Sequence, residues 1–372
     1  MRKRYLERSV VEDLREKMVF VSGPRQSGKT TLARALLRQR YQSAPGRYLN
    51  WDDDEARTKI LAREFPMEGM VVFDELHKFG RWRNFLKGLY DTHQERLDVL
   101  VTGSARLDLY RRGGDSLLGR YHHHRLYPFS LREADCTVSD LMALGPFPEP
   151  LLSGSLRTAR RWSRAYRSRL VREDVADLER VEEMGALEQL SVRLPDLVGS
   201  LLSVNALRED LQLAHRTVAR WLDIFERMLF IFRLSPFGAS RIKAVKKSRK
   251  HYHFDWVPVR EEAARFENLV AFHLLKDCHF LEDTEGFDCD LRFFRDVEGR
   301  EVDFVQVVDG QPVRFVECKL NETRVDPSLV YLKRKYPLVE AVQVVGRPGV
   351  EGVADPGIRI CSAETFLGEL RV

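Results

Sequence analysis

A glycine-rich stretch near the N-terminus constrains the fold more than any other part of this chain. It reads GPRQSGKTTL, in which Gly23 is followed by four residues and then by Gly28, Lys29 and Thr30. This is the complete G-x-x-x-x-G-K-[ST] pattern of a phosphate-binding loop. An apolar run precedes the loop and a helical pattern follows it, which is the context that the pattern requires. The sequence therefore predicts a P-loop NTPase built on a parallel α/β sheet.

The loop residues predict how ATP and Mg²⁺ would be held. Backbone N–H groups can surround a phosphate at a helix N-terminus, where the helix dipole also favours an anion. Lys29 is expected to reach the β- and γ-phosphates, and Thr30 is expected to ligate Mg²⁺. The predicted nucleotide-binding residues are Gly23, Pro24, Arg25, Gln26, Ser27, Gly28, Lys29, Thr30 and Thr31.

A second motif, VVFDE, ends an apolar strand in the carboxylates of Asp74 and Glu75. Functional groups collect at the C-terminal ends of strands in open α/β sheets. We expect Asp74 to hold the Mg²⁺ shell, and Glu75 to orient and deprotonate the attacking water.

Two further strands are predicted, at residues 48–54 and 97–105. An extra strand between the phosphate loop and the acidic strand is typical of the P-loop NTPases that use a catalytic glutamate. The strand at 97–105 ends in polar residues, where a sensor of the γ-phosphate would lie. Thr102 and Ser104 are both candidates, and the sequence does not choose between them.

Phosphoryl transfer gains from an arginine that a neighbouring subunit supplies. Arg120 is the candidate finger, with Arg106 and Arg125 as rivals. A finger in trans implies a homo-oligomer. The neighbouring run of histidines, residues 122–124, alternates between the two faces of a predicted strand, so all three cannot ligate one metal ion.

Composition limits the possible partners and location. The net charge of +5 permits nucleic acid, DNA included, as a partner but does not demand it. The five cysteines form no C-x-x-C pair, which indicates a reducing compartment. No window holds 18 uncharged apolar residues, so we expect no membrane span or signal peptide and a cytoplasmic location.

The middle of the chain begins at the GPFPEP stretch, which marks a domain boundary. Residues 157–172 then carry seven arginines on a predicted amphipathic helix, with Trp162, Tyr166 and Leu170 as its apolar seam. This basic face is interpreted either as tracking phosphates or as a solvated or subunit-contacting surface.

A winged-helix segment is predicted next. Residues 204–237 read as a helix, a short turn, a second helix and a strand. Residues 241–250 follow with six basic residues and no acid, and form a better electrostatic candidate for nucleic acid than the second helix.

A β-hairpin is predicted near the C-terminus, with Asp309-Gly310 between two alternating strands. Glu317 and Lys319 share a face of the second strand. With Asp303 they would form the D…E-x-K set of a metal-dependent nuclease, joined by a helical acid, Glu267.

The register of the hairpin decides whether this set can form. A two-residue loop would turn Asp303 away from Glu317, whereas a three-residue loop, 309–311, would place them opposite each other. Both alternatives are open.

These stretches together resemble the bacterial and archaeal AAA-type ATPases whose C-terminal half is a domain of unknown function with a restriction-endonuclease-like fold. The resemblance covers nearly the whole chain and rests on GPRQSGKTTL, VVFDELHKFGRWRNFLKGLYD, VTGSARLDL, RTVARWLDIFERMLFIFRLSPF, REVDFVQV and VECKL. It implies ATP binding and hydrolysis. The predicted domains are an AAA-type ATPase core at 1–145, a helical linker and winged-helix segment at 146–240, and an endonuclease-like α/β domain at 241–372.

Two hypotheses for function follow. The first is a Mg²⁺-dependent ATPase coupled to nucleic acid, which the C-terminal domain binds or cuts. The second is an ATP-driven switch or scaffold that docks a protein partner and carries a catalytically inactive nuclease-like domain.

Overall fold

The computed structural model describes residues 2–40, 46–104, 117–175, 183–238 and 249–372. The chain divides into two compact units, Met1–Pro128 and Phe129–Val372. No helix in these described ranges is both long enough and apolar enough to cross a bilayer. The domain ranges that the sequence analysis gives stay predictions.

A parallel sheet forms the centre of the first unit. Its strands are β1 (Met18–Ser22), β2 (Gly46–Asn50), β3 (Gly69–Asp74), β4 (Leu97–Thr102) and β5 (Tyr121–Arg125). The helices are α1 (Glu7–Asp13), α2 (Lys29–Arg40), α3 (Asp54–Ala62) and α4 (Trp82–His93), with a 3₁₀ turn at Leu76–Lys78. The strand order is β2-β3-β4-β1-β5, and every neighbouring pair is parallel.

The sheet order brings the two motifs of the first unit to one edge. All five residues of β1 are buried, as expected for a central parallel strand. β4 lies between β1, which leads into the phosphate loop, and β3, which ends in Asp74. The carboxyl ends of these parallel strands therefore meet where the loop begins.

The prediction of a strand at 48–54 is only partly correct. β2 ends at Asn50, and α3 begins at Asp54. Asp53 caps α3, because its carboxylate accepts the N–H of Ala56 at 2.8 Å. Likewise β4 ends at Thr102, before the end of the strand predicted at 97–105.

The second unit contains a mixed sheet. Its strands are β6 (Ile231–Pro236), β7 (Lys250–His253), β8 (Cys289–Arg295), β9 (Glu301–Val308), β10 (Gln311–Lys319), β11 (Glu340–Val345), β12 (Glu351–Ala354) and β13 (Ile358–Ser362). Within the described residues their order is β12-β13-β11-β10-β9-β8-β6-β7. β10, β11 and β13 are parallel neighbours, while β9 is antiparallel to both β8 and β10.

The helices of the second unit precede and flank this sheet. They are α5 (Leu131–Ala134), α6 (Val138–Leu144), α7 (Pro148–Ser153), α8 (Leu156–Arg169), α9 (Met184–Arg193), α10 (Val204–Leu211), α11 (His215–Arg227), α12 (Glu262–Glu285), α13 (Pro327–Lys335) and α14 (Ala363–Glu369). A π-helix at Leu170–Val175 and a 3₁₀ turn at Leu194–Leu197 complete them. The succession α10, α11, β6 agrees with the predicted helix, helix and strand, and β6 belongs to the larger sheet. The winged helix itself stays a prediction.

The arginine-rich helix α8 is amphipathic, as predicted. Trp162 and Tyr166 stack with ring centroids 4.8 Å apart, and both rings lie against Phe147. Leu170 is buried directly after the helix. The burial of this seam leaves six of the seven arginines exposed, with Arg167 half-buried.

A bulge sets the register of the β9–β10 hairpin. The turn is Asp309-Gly310 with φ values of +49° and +79°, and Val308 pairs with Gln311, so the loop has two residues. The register then shifts between Pro312 and Arg314, and Val316 pairs with Phe304. The extra residue, Val313, therefore restores the arrangement that the sequence analysis expected only from a three-residue loop.

A buried ion pair joins α12 to α5. Lys276, fully buried in α12, donates to Glu133 Oε2. The same oxygen accepts the N–H and the hydroxyl of Ser130, each at 3.0 Å, and so caps α5.

We expect Lys276→Met to lower the free energy of unfolding by about 3–5 kcal/mol, because it leaves a buried carboxylate without its cation. Urea unfolding followed by circular dichroism measures the change. Arg334→Met is the matched control, since Arg334 lies 3.8 Å from Asp355 in an exposed pair that contributes less than about 1 kcal/mol. Equal losses in the two variants would contradict the prediction.

Candidate functional site

The phosphate loop has a backbone that requires glycine. Gly23 has φ +146°, and a Cβ there would lie 2.2 Å from the carbonyl oxygen of Leu126. Gly28 has φ +97°. Both values lie where side chains are disfavoured. The loop is thus wound tightly beside the end of β5.

Arg4 supports the loop from the N-terminal segment, a contact that the sequence analysis missed. Its guanidinium donates to the carbonyl oxygens of Ser27 at 2.7 Å and Tyr127 at 2.6 Å. The sequence shows that the N-terminal segment is basic, but it does not indicate which of its arginines contacts the phosphate loop.

Lys29 folds back over the loop. Its Nζ donates to the carbonyl oxygens of Gly23 at 3.1 Å and Pro24 at 2.6 Å. Burial lowers the pKa of Lys29 to about 8, although the carboxylates of Glu75 and Asp74 act in the opposite direction. A buried ammonium held only by neutral carbonyls would gain strongly from an anionic phosphate.

Asp74 accepts hydrogen bonds from three hydroxyl groups. Thr30 Oγ1 donates to Oδ2 at 2.7 Å, Tyr48 OH donates to Oδ2 at 2.5 Å, and Thr102 Oγ1 donates to Oδ1 at 2.6 Å. The three donors come from α2, β2 and β4. Tyr48 was not predicted as a site residue from the sequence. The guanidinium carbon of Arg34 lies 4.3 Å from the centre of the Tyr48 ring.

Glu75 lies beside Asp74 in an unusual backbone conformation. Its φ of +57° and ψ of +21° are left-handed, and its N–H donates to the carbonyl of Thr102 at 2.9 Å. Its carboxylate lies 3.5 Å from the Nζ of Lys78 and 3.7 Å from the Nε2 of His77. Burial raises the pKa of Glu75 above its ordinary 4.5.

The two sensor candidates differ in their contacts. Thr102 touches Asp74 directly. Ser104, two residues after it, is buried. Both residues were equal candidates from the sequence, and the contact with Asp74 distinguishes Thr102.

The finger candidate Arg120 pairs within its own chain. Its Nε lies 2.7 Å from Asp91 Oδ1 on α4, and both side chains are partly exposed. Of its rivals, Arg125 ends β5, and Arg106 lies outside the described residues.

The predicted strand of histidines, 122–124, is confirmed as part of β5. His123 Nε2 lies 2.9 Å from Ser22 Oγ, and His124 Nε2 lies 2.7 Å from Asp13 Oδ2. The histidines have separate neighbours, as the alternation predicted.

The first-unit residues fit a magnesium nucleotide. Thr30 and Asp74 bring a hydroxyl and a carboxylate together, and such hard oxygen ligands suit Mg²⁺. Ser27 Oγ is buried in the loop without a hydrogen-bond partner among the described residues. The hydroxyl of Ser27 can therefore donate to a bound phosphate. The ammonium of Lys29 can do so by leaving the loop carbonyls, and both groups lie beside the helix N-terminus, where phosphates bind.

The second unit gathers two of the predicted nuclease residues, Glu267 and Asp303, around a lysine. Lys250 Nζ lies 2.6 Å from Glu301 Oε1, 3.4 Å from Glu267 Oε1 and 3.4 Å from Asp303 Oδ1. Lys250 is only 2% exposed. Lys250 was expected to belong to a basic segment, 241–250, available to nucleic acid, and this prediction is wrong for Lys250 because its side chain is buried. Residues 241–248 lie outside the described residues.

Glu317 and Lys319 form a neighbouring pair. Lys319 Nζ donates to Glu317 Oε1 at 2.8 Å and also lies 2.9 Å from Asp326 Oδ2. Glu317 Oε2 accepts the N–H of Asp303 at 3.3 Å. The structure therefore brings Asp303, Glu317 and Lys319 to one place, with Glu267 reached through Lys250.

Three family models match successive parts of the chain. Residues 15–134 match a family described as an AAA domain. Residues 137–257 and 263–364 match families described as domains of unknown function (DUF8612 and DUF4143).

Three similar proteins carry the description of an uncharacterized protein. One from Mycobacterium tuberculosis is 26% identical over 64% of this chain, and the match spans 54% of its length, so this chain covers about half of that relative. One from Methanocaldococcus jannaschii is 23% identical over 72% of this chain and 70% of its own. One from Haemophilus influenzae is 21% identical over 90% of this chain and 91% of its own.

Among solved structures, the Thermotoga maritima RuvB Holliday junction branch migration motor overlaps 58% of this chain and 82% of its own, with 15% identity and a TM-score of 0.27. That score is too low to support an inference. The match of residues 15–134 supports an AAA-type P-loop ATPase in this part of the chain.

Proposed function

We propose that this protein binds ATP with Mg²⁺ at the phosphate loop and hydrolyses it with Glu75 as general base. The observation that carries the proposal is the convergence of Thr30, Tyr48 and Thr102 on Asp74, immediately before Glu75. This convergence holds two adjacent carboxylates at the end of one strand, beside the loop, which supports the proposed roles of magnesium ligand and proton acceptor.

Each side chain has a distinct role in this proposal. Lys29 exchanges the loop carbonyls for phosphate oxygens, and Thr30 and Asp74 hold Mg²⁺, which neutralises phosphate charge when it is bound. Glu75 orients water and accepts its proton. Thr102 orients Asp74, and Ser104 is the second candidate for contact with the γ-phosphate.

We also propose that the protein is a homo-oligomer in which Arg120 contacts a nucleotide bound to a neighbouring subunit. The support is chemical, because a guanidinium stabilises the charge of a transferring phosphoryl group. Arg120 would have to leave Asp91 to do so. An exposed pair is weak, so this exchange requires little free energy.

The proposed coupling is to nucleic acid. Helix α8 supports it, because its five exposed arginines surround a buried apolar seam and give a phosphate-attracting surface. The second candidate is an ATP-driven switch that docks a protein partner. It is favoured by one observation, the ammonium of Lys250 among the carboxylates that a nuclease would need for metal.

We expect Glu75→Gln to lower steady-state ATP hydrolysis about a hundredfold or more, because general-base catalysis is lost. Binding of a fluorescent ATP analogue should persist, since the loop is unchanged. Glu68→Gln, the same substitution at an exposed position just before β3, should retain activity. Because only the ionised Glu75 accepts a proton, its raised pKa should shift the acidic loss of activity above pH 4.5. Unimpaired hydrolysis by Glu75→Gln would exclude this residue as the base.

Binding of a non-hydrolysable ATP analogue should take up protons through Lys29. With a pKa of about 8, Lys29 is about half protonated at pH 8 and about nine-tenths protonated at pH 7, and a phosphate partner raises its pKa. Calorimetry in two buffers of different ionisation enthalpy should give an uptake of about 0.5 proton at pH 8 and about 0.1 at pH 7. Lys29→Arg, which stays charged, should bind without uptake. An uptake that is equal in both proteins would assign the proton to another group.

The coupling hypothesis predicts that duplex DNA stimulates ATP hydrolysis, and that added salt weakens the effect. Arg160→Glu with Arg164→Glu, one turn apart on α8, should abolish the stimulation but leave DNA-free hydrolysis unchanged. Arg334→Glu, an exposed charge reversal on α13, is the control. If DNA has no effect on the wild type, the protein-docking switch replaces the nucleic-acid hypothesis.

A further inference from the structure

We propose that the ε-ammonium of Lys250 is the resident cation of the carboxylate cluster in the second unit, in place of a divalent metal ion. The cluster comprises Lys250, Glu267, Glu301 and Asp303. The hypothesis that Asp303, Glu317 and Glu267 hold Mg²⁺ requires free carboxylate oxygens at a common point. In the structure the lysine nitrogen lies between two of these acids, 3.4 Å from both Glu267 Oε1 and Asp303 Oδ1, while Glu317 pairs with Lys319.

The position of the ammonium is fixed by the backbone. Lys250 begins β7 and pairs with Leu234 of β6, and on its other side it forms a bridge with Leu201. Its side chain is 3% exposed, and its nitrogen lies 5.8 Å from the centre of the Phe293 ring. An ammonium buried in this way cannot move to solvent without disturbing the strand that carries it.

The carboxylate oxygens have further partners. Tyr252 OH donates to Glu267 Oε1 at 2.6 Å, and the N–H of Cys318 donates to Asp303 Oδ2 at 2.9 Å. The other oxygen of Glu267 lies against Gly199, where an added Cβ would approach it to 3.0 Å. A magnesium ion demands oxygens at about 2.1 Å in octahedral geometry and keeps several waters, which this cluster does not accommodate while the ammonium lies among its oxygens.

The carboxylates already have cations of the chain beside them. The carboxylates of Glu267, Glu301, Asp303, Glu317 and Asp326 face the cations of Lys250, Arg295 and Lys319. Burial raises the pKa of Glu267 and of Glu317 above 4.5, with repulsion from Asp303 adding to the effect. Within the described part of the chain, no group of three or more metal-ligating side chains is arranged to hold an ion.

The consequence concerns the function of the second unit. A D…E-x-K nuclease needs its metal to activate water and to neutralise the phosphodiester. With Lys250 in the cation position, the cluster joins β7, β9 and α12 as a structural centre, and the unit acts without metal-dependent cleavage. This inference is independent of ATP hydrolysis in the first unit.

The first test compares Mn²⁺ binding to nucleotide-free wild type and Asp303→Asn by electron paramagnetic resonance. The proposal requires equal binding, because any Mn²⁺ held weakly at the phosphate loop is common to both proteins. Loss of one Mn²⁺ equivalent in Asp303→Asn would overturn the proposal. This arm needs no change at Lys250, so it decides the question even if variants of that residue do not fold.

The second test removes the cation. Lys250→Ala leaves three carboxylates together, and it should gain about one Mn²⁺ equivalent that Lys250→Ala/Asp303→Asn lacks. Lys250→Ala/Glu301→Gln reduces the excess negative charge and serves if the single variant is unstable. A folded Lys250→Ala that gains no Mn²⁺ would also overturn the proposal. Neither result depends on ATPase activity, so failure here is distinct from failure of the proposed function.

Discussion

The carboxylate of Asp74 is the constraint on which the first unit's site depends. A buried carboxylate is unfavourable unless its oxygens accept hydrogen bonds, and here Thr30, Tyr48 and Thr102 supply them. Because these donors belong to a helix and two strands, satisfying one charge also fixes the distance between the phosphate loop and the end of the sheet. Glu75 follows next in the chain, in a left-handed conformation that the surrounding structure holds.

In the second unit, a single inserted residue, Val313, likewise determines which side chains lie together. Without the bulge at Val313, a two-residue turn would place Asp303 opposite Val316, and its side chain would point to the other face. With the bulge, Asp303 lies with Glu317, and its carboxylate accepts the N–H of Cys318. The local irregularity of one hairpin therefore decides which acids meet, even though every residue concerned is visible in the sequence.

The parts predictable from sequence are those with local or periodic signals. The phosphate loop with its flanking strand and helix, the acidic strand and the seam of α8 all fall in this class. Tyr48, Arg4 and Lys250 do not, because their partners are distant in sequence. Lys250 is instructive: its basic neighbours indicate a solvated segment, whereas its separation of two residues from Tyr252 places both on one face of β7. The face that Lys250 shares with Tyr252 indicates burial of the lysine only when the carboxylates that contact it are known.

The contacts of two buried lysines, Lys29 and Lys250, explain why the units would respond differently to a charged ligand. Lys29 has neutral carbonyls as its contacts, and burial lowers its pKa, so an incoming anion stabilises it. Lys250 has three carboxylates, which raise its pKa despite burial, so its electrostatic requirement is already satisfied. A phosphate would strengthen the first arrangement and be repelled by the second. Nucleotide is therefore expected to act on the first unit, whereas any partner of the second unit must be recognised by other surfaces, such as the exposed arginines of α8.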